Sequence, residues 1–539
     1  MIGNKKSFQR ERFLKEITET DLWDFIIIGG GATGLGTAVD AASRGYKTLL
    51  LEQADFAKGT SSRSTKLVHG GVRYLVQGNI GLVYEALHER GLLLQNAPHL
   101  VQRQSFIIPC YSWFAKAQYL IGLKLYDWLA GKFSFGASKS LSSKNLLKAI
   151  PEIKSKGLKG GIEYWDGQFD DARLAINLAQ TSAEQGGTLL NYIKVTGLLK
   201  ANDKNINGVI AKDIESGTEY RLNAKVVINA TGVFVDEILQ MDIAAQKPLV
   251  RSSQGVHVVL NRSFLYGDKA IMIPKTTDGR VLFAVPWHDH VLVGTTDTPL
   301  ESHSLEPIAL DKEIEFILET AGQYLTKAPT RADALSVFAG LRPLAAPDKD
   351  TNSTKEISRS HKILVNSSGL ITIIGGKWTT YRKMAEDVVN KAIQKTGLPI
   401  LPCITQNLKI HGYLNKTTQS DLSVYGNDEE LIKVMILDEP ELGQKLDKEL
   451  PYLKCEVIWA VRNEMARTVE DVLARRMRLL FLDAKAAIRL APVVAQLIAS
   501  ELGYDAEWQE RQANDFTQLA GRYLTAPYME NKNNQTKIT

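Results

Sequence analysis

Asp24-Phe-Ile-Ile-Ile-Gly29-Gly30-Gly31-Ala-Thr-Gly34-Leu-Gly36 decides the fold of this chain. An apolar run leads into a glycine-rich turn, and the small residues Thr37-Ala-Val-Asp-Ala-Ala42 continue as a helix. Thr48-Leu-Leu-Leu51-Glu52 then reads as a second short strand ending in an acid. This is the spacing of a dinucleotide-binding strand–helix–strand unit. Gly29 permits the tight turn, Gly31 lets backbone approach a pyrophosphate, and Gly34 lets the helix pack closely on the strand. The helix N-terminus turns unpaired N–H groups toward the phosphates. Glu52 stands where the hydroxyls of an adenosine ribose would be held, which favours FAD or NAD over NADP.

A chain of 539 residues has room for two or three domains. Its composition, 44% hydrophobic and 23% charged, is that of a soluble globular protein. The net charge of +5 is mild, and no lysine/arginine block is dense enough for nucleic acid, so no nucleic-acid partner is expected. A small positive excess suits an anionic substrate or an anionic membrane surface. Cys110, Cys403 and Cys455 lie far apart without a CxxC pair, which excludes a disulfide framework and a recognisable thiolate metal site. They read as buried hydrophobes in a reducing compartment. Residues Met1 to Glu19 are polar, without the apolar core of a signal peptide, and no apolar stretch is long enough to span a bilayer. A cytoplasmic location is expected.

The fold class expected is α/β: a Rossmann-type nucleotide-binding domain, an inserted antiparallel-sheet substrate domain and an all-helical C-terminal domain. The nucleotide-binding unit takes residues 20–95, 150–245 and 335–400. A helix-rich stretch runs from about Asn79 to Lys132. The substrate unit takes 96–149 and 246–334, where Gly255-Val-His-Val-Val-Leu260 and Arg280-Val-Leu-Phe-Ala-Val285 alternate as antiparallel strands do. Residues 405–525 carry helical periodicity.

Four further segments carry chemistry. Gly59-Thr-Ser61-Ser62-Arg63-Ser-Thr65-Lys66-Leu-Val-His69-Gly70-Gly71-Val-Arg73-Tyr74 crowds hydroxyls, cations and glycines together. Ser61 and Ser62 suit a helix cap or phosphates. Gly70 and Gly71 would admit a flat ring, with His69 and Arg73 facing it. Asn229-Ala230-Thr231-Gly232 ends a buried strand in small residues, which fits backbone beside a cofactor and equally an ordinary strand–helix turn. Arg342, between Gly340-Leu341 and Pro343, reads as a rigid anion clamp or as one half of a surface ion pair. Gly375-Gly376-Lys377-Trp378-Thr379-Thr380-Tyr381-Arg382 makes an anion site at a helix N-terminus, without the spacing of an ATP-hydrolysing phosphate loop.

Together with Asp170-Asp171-Ala172-Arg173-Leu174 and Gly294-Thr-Thr-Asp297, these motifs resemble the FAD-dependent glycerol-3-phosphate dehydrogenases, in the family's order, from about residue 20 to 525. Ala466-Arg-Thr-Val-Glu-Asp471-Val-Leu-Ala-Arg475-Arg476 is similar to the family's C-terminal domain. The resemblance implies oxidation of sn-glycerol 3-phosphate to dihydroxyacetone phosphate, with FAD taking the hydride and a membrane quinone taking the electrons. Arg73, Tyr74, Arg342 and Lys377 would surround the substrate. His257 would be the base, with His69 its rival or a guide to the flavin ring, and Arg342 would clamp phosphate or meet the developing alkoxide. Lys66, Val195, Gly376, Lys377 and Thr379 join Gly29, Gly31, Gly34, Glu52, Ser61, Ser62, Ala230 and Gly232 as the residues implied around FAD.

A quinone acceptor demands contact with a bilayer. The aromatic and basic stretch Tyr111 to Ala130 suits an interfacial helix, and equally burial between domains. Peripheral attachment to the inner leaflet of the cytoplasmic membrane follows from the resemblance, and a homodimer is left open. Three alternatives stand beside this reading: an oxygen-reducing glycerol-3-phosphate oxidase, an amino-acid or 2-hydroxy-acid oxidase of the same flavin fold, which would want a carboxylate clamp, and a non-catalytic flavin redox sensor. A sensor would not need Arg73, His257, Arg342 and Lys377 together.

Overall fold

The computed structural model of the chain describes residues 8–72, 75, 78–245, 247–274, 276, 279–346, 361–415 and 420–526. The apolar run after Asp24 forms the strand Trp23–Ile28, and its Phe and Ile side chains are buried in succession, as in a sheet covered on both faces. This strand pairs in parallel with Thr48–Leu51 on one side and Glu219–Asn229 on the other. Thr188–Leu190 and Ile371–Ile374 extend the parallel sheet outward, and Lys362–Val365 closes one edge in the antiparallel sense. Helix Ala32–Ser43 packs against helices Asp171–Glu184 and Tyr381–Thr396. Helix Asp171–Glu184 starts where the Asp170 side chain accepts from the Arg173 N–H at 3.1 Å.

The alternating stretch near residue 255 becomes Val250–Asn261, the spine of a second sheet. It pairs antiparallel with His290–Gly294, Thr298–Leu300 and, along most of its length, Ala334–Ala345. The sheet continues through Leu282–Trp287 and Ala270–Ile273 to Val101–Pro109 and Gly161–Phe169. Beyond it, helices Lys454–Glu464, Ala484–Leu502 and Ala506–Gly521 enclose an apolar cluster that includes Val472, Phe481 and Ile498.

Two features differ from the sequence reading. The stretch read as helix-rich holds helices Ile80–Asn96 and Trp113–Ala130 with the strand Val101–Pro109 between them. That strand is buried in succession from Gln104 onward, so no alternation announces it. Gly161–Phe169 and Ala334–Ala345, grouped by sequence with the nucleotide-binding segments, hydrogen-bond into the second sheet. Their partners are distant in sequence, and a strand's own residues do not name its partner.

Candidate active site

The glycine turn has the geometry that its spacing implies. Gly29 has φ +110°, and a Cβ there would stand 2.7 Å from the Ala230 carbonyl oxygen. A Cβ on Gly34 would fall 1.9 Å from the Gly29 carbonyl oxygen, so helix and strand touch backbone to backbone. Ser61 reaches across from the next motif, and its hydroxyl accepts from the Ala32 N–H at 2.9 Å, capping helix Ala32–Ser43. Glu52 accepts from the N–H groups of Gly30 (2.6 Å) and Ala54 (2.9 Å). Burial raises its pKa despite both donors.

A cavity of about 430 Å³ opens between the two sheets. Gly29, Gly31, Glu52, Ala230 and Gly232 line it from the parallel sheet, and Val195 from the antiparallel strand Ile193–Lys200. Ser61 and His69 enter from the hydroxyl-rich loop, His257 and Arg342 from the second sheet, and Gly376, Lys377 and Thr379 from the turn before helix Tyr381–Thr396. Arg73 and Tyr74 lie outside the described residues.

Ser62 and Lys66, expected beside the cofactor, do not line this cavity. Ser62 is fully buried, and its hydroxyl has no hydrogen-bond partner among the described residues. Lys66 turns inward: its ammonium donates to both Asp171 carboxylate oxygens (2.7 and 2.9 Å) and to the Ser62 carbonyl (2.7 Å). A fully buried lysine must find a countercharge, and Asp171 is it. Gly34 acts behind the turn through packing alone.

Ser253, Gly255 and His257 alternate onto one face of their strand. Across it, a Cβ at Gly255 would stand 2.4 Å from Arg342 Nη2, so the guanidinium lies over Gly255, beside His257. Arg342 donates to Thr295 Oγ1 at 3.0 Å and to Asp297 Oδ1 at 3.4 Å. The His257 ring stacks on Phe338 (5.0 Å between centroids, 22°). Its Nε2 lies 2.9 Å from the Thr65 hydroxyl, and its Nδ1 has no partner among the described residues. Burial, then Arg342 and Lys66, hold its pKa well below the ordinary histidine value, which favours the neutral ring.

The His69 N–H donates to Thr379 Oγ1 at 3.2 Å, tying two of the motifs together. The Gly70 N–H donates to the Tyr126 hydroxyl at 2.8 Å, which in turn donates to Asp166 at 2.7 Å. Tyr126 belongs to helix Trp113–Ala130, so that helix reaches the edge of the site. Thr65, Thr295, Asp297 and Tyr126 had no role assigned from sequence. The first three sit inside motifs singled out there; Tyr126 lies in the aromatic stretch read as an interfacial or interdomain helix, with nothing to mark it as part of the site.

A parallel sheet with a glycine turn at a helix N-terminus, an acid after the second strand and an antiparallel sheet facing it across a cavity define a flavin-dependent oxidoreductase. The open backbone at Gly31, whose Cβ would meet only Ser61 Oγ at 3.1 Å, and the small residues Ala230 and Gly232 fit FAD. The FAD dependent oxidoreductase family model matches residues 24–382, and the model for the C-terminal domain of alpha-glycerophosphate oxidase matches 369–509. The mitochondrial glycerol-3-phosphate dehydrogenase of Rattus norvegicus is 38% identical, covering 97% of this chain and 76% of that protein. That of Arabidopsis thaliana is 37% identical, covering 97% and 90%. The structure of the glycerol-3-phosphate dehydrogenase from Bacillus halodurans complexed with FAD superimposes with a TM-score of 0.76, at 28% identity, covering 97% of this chain and 98% of that one. The chain belongs to the FAD-dependent glycerol-3-phosphate dehydrogenases.

Proposed function

We propose that this protein oxidises sn-glycerol 3-phosphate to dihydroxyacetone phosphate, passes the electrons to a quinone and works at the surface of the cytoplasmic membrane. One observation carries the reaction: the neutral His257 and the cations Arg342 and Lys377 line the same cavity as the dinucleotide turn. Bound there, FAD supplies the two-electron acceptor for the hydrogen on C2 of the substrate. Gly29, Gly31, Glu52, Ser61, Ala230 and Gly232 would hold it. Arg342 and Lys377 take the phosphate dianion and the oxygen on C2, and Thr295 and Asp297 fix the Arg342 fork in advance. His257 takes the hydroxyl proton as the C2 hydrogen leaves with its electron pair, and the carbonyl forms. Arg342 stabilises negative charge on that oxygen as the proton departs.

The membrane reading rests on helix Trp113–Ala130. It buries Leu123, Tyr126 and Ala130 and leaves Phe114, Ile121 and Trp128 exposed at 79%, 72% and 74%. At 100° per residue, Phe114, Ile121, Leu125 and Trp128 form one stripe opposite the buried one. No described helix is long and apolar enough to cross a membrane. A stripe of aromatic and aliphatic residues beside exposed Lys124 fits the plane of a bilayer surface.

The test is anaerobic. The purified FAD-loaded protein is mixed with sn-glycerol 3-phosphate and the yellow absorbance is followed. Rapid bleaching is expected, and an unchanged spectrum with FAD bound would overturn the substrate assignment.

A further inference from the structure

Two consecutive arginines of the C-terminal region close on one aspartate of the nucleotide-binding sheet. Asp55 sits in the turn just beyond Glu52. Arg475 Nε donates to its Oδ2 at 2.5 Å, Arg476 Nη2 to its Oδ1 at 3.0 Å, and Arg476 Nη1 again to Oδ2. All three side chains are fully buried. Neighbouring residues of an α-helix diverge by about 100°. Here Asp471–Arg476 is a π-helix, with the Met477 N–H donating to the Val472 carbonyl at 2.8 Å, and both arginines reach one carboxylate. Arg475 is braced in turn by Glu470 and Asp471, each at 2.7 Å, and Asp471 accepts from Tyr192 OH at 2.7 Å. Burial alone would raise the Asp55 pKa, but Arg476 and Arg475 hold it below the usual carboxylate range.

The turn that Asp55 anchors is the one that orients Glu52. The Ala54 N–H donates to Glu52 Oε1, and the Ala57 N–H donates to the Gly30 carbonyl at 2.9 Å, so the turn is tied to the glycine motif as well. We infer that Asp55, Arg475 and Arg476 are positioning residues for the adenosine half of FAD, through which the helical C-terminal region clamps the turn carrying Glu52. The inference rests on the FAD site described above and assigns the C-terminal region a part in cofactor retention.

FAD-free protein is titrated with FAD, followed by flavin fluorescence, and separately with ADP as a probe of the adenosine half alone. Asp55→Asn is expected to raise both dissociation constants about tenfold or more. Asp428→Asn, which breaks a buried bridge to His411 elsewhere, is expected to lower the melting temperature and leave both constants within about twofold of the parent. Arg475→Lys, which keeps the charge and loses the fork, is expected to weaken both about threefold, and it decides the matter if Asp55→Asn is insoluble. Parent-like affinity in the soluble clamp variants would overturn the inference. Equal losses in Asp55→Asn and Asp428→Asn would overturn it too, since general loosening would then be the cause. A parent protein that binds neither probe would overturn the cofactor assignment instead.

Discussion

Thr65 Oγ1 and His257 Nε2 lie 2.9 Å apart, joining the hydroxyl-rich loop to the central strand of the second sheet. With Nδ1 unpartnered among the described residues, this contact and the stacking on Phe338 set the ring's orientation. Thr65→Val keeps the volume and removes the hydroxyl. Steady-state assays with sn-glycerol 3-phosphate and an artificial electron acceptor should show kcat reduced about tenfold, with KM changed less than about threefold. An unchanged kcat would remove Thr65 from the site.

The depressed pKa of His257 dictates a pH profile. A base works when deprotonated, so activity is lost as pH falls through the folded pKa, which lies well below 6.5. The acid limb of kcat/KM that reports this group should therefore fall below pH 6.5. Arg342 is the second cause of the depression, after burial. Arg342→Ala should lower kcat/KM about 10²–10³-fold with flavin retained. It should also move the acid limb of the residual activity upward. A limb that stays in place would show that His257 is not the titrating base.

The fold was legible where chemistry is local. Gly29 and Gly34 declare themselves because no side chain fits where the turn meets Ala230 and the helix meets the strand. His257 and Arg342 were legible as candidates through the motifs that hold them, and the structure brings both to one cavity. Lys66, implied beside FAD by the resemblance, turns away from the cavity because its partner Asp171, far along the chain, draws it inward. The same holds for Asp55 with Arg475 and Arg476, and for Tyr126 with Gly70: each pairing is created by tertiary packing, and no local pattern encodes it. The strand Val101–Pro109 escaped for a different reason, since continuous burial erases the period-two signal.

The exposed stripe on helix Trp113–Ala130 makes a separable prediction. Phe114→Glu with Trp128→Glu places charge where the bilayer reading requires apolar surface, and neither side chain lies in the cavity. Co-sedimentation with vesicles containing anionic phospholipid should fall at least about tenfold. Turnover with a soluble dye should stay within about twofold of the parent, and turnover with a quinone held in vesicles should drop with binding. Undiminished sedimentation of the double variant would place the membrane contact on another surface.

His411 gives a stability prediction independent of catalysis. Its Nε2 lies 2.6 Å from Asp428 and its Nδ1 2.9 Å from Glu184, joining helix Asp171–Glu184 to the 3-10 helix Ser423–Asp428 that leads into helix Glu429–Asp438. Burial would lower its pKa, but the two carboxylates outweigh it and raise the value to about 9. Because the folded pKa exceeds the unfolded one of about 6.5, the stabilisation is complete below that value and is lost as pH rises through about 9. A shift of that size is worth on the order of 3 kcal/mol. With saturating FAD, the parent's melting temperature should fall between pH 6.5 and 10, beyond the fall shown by His411→Asn. The variant should start lower at pH 6.5 and converge on the parent at the alkaline end. Tyrosines and cysteines titrate in both proteins, so the difference between the two curves isolates the bridge. Parallel curves across the whole range would mean that His411 carries no extra proton in the folded protein and that its two carboxylate contacts are neutral hydrogen bonds.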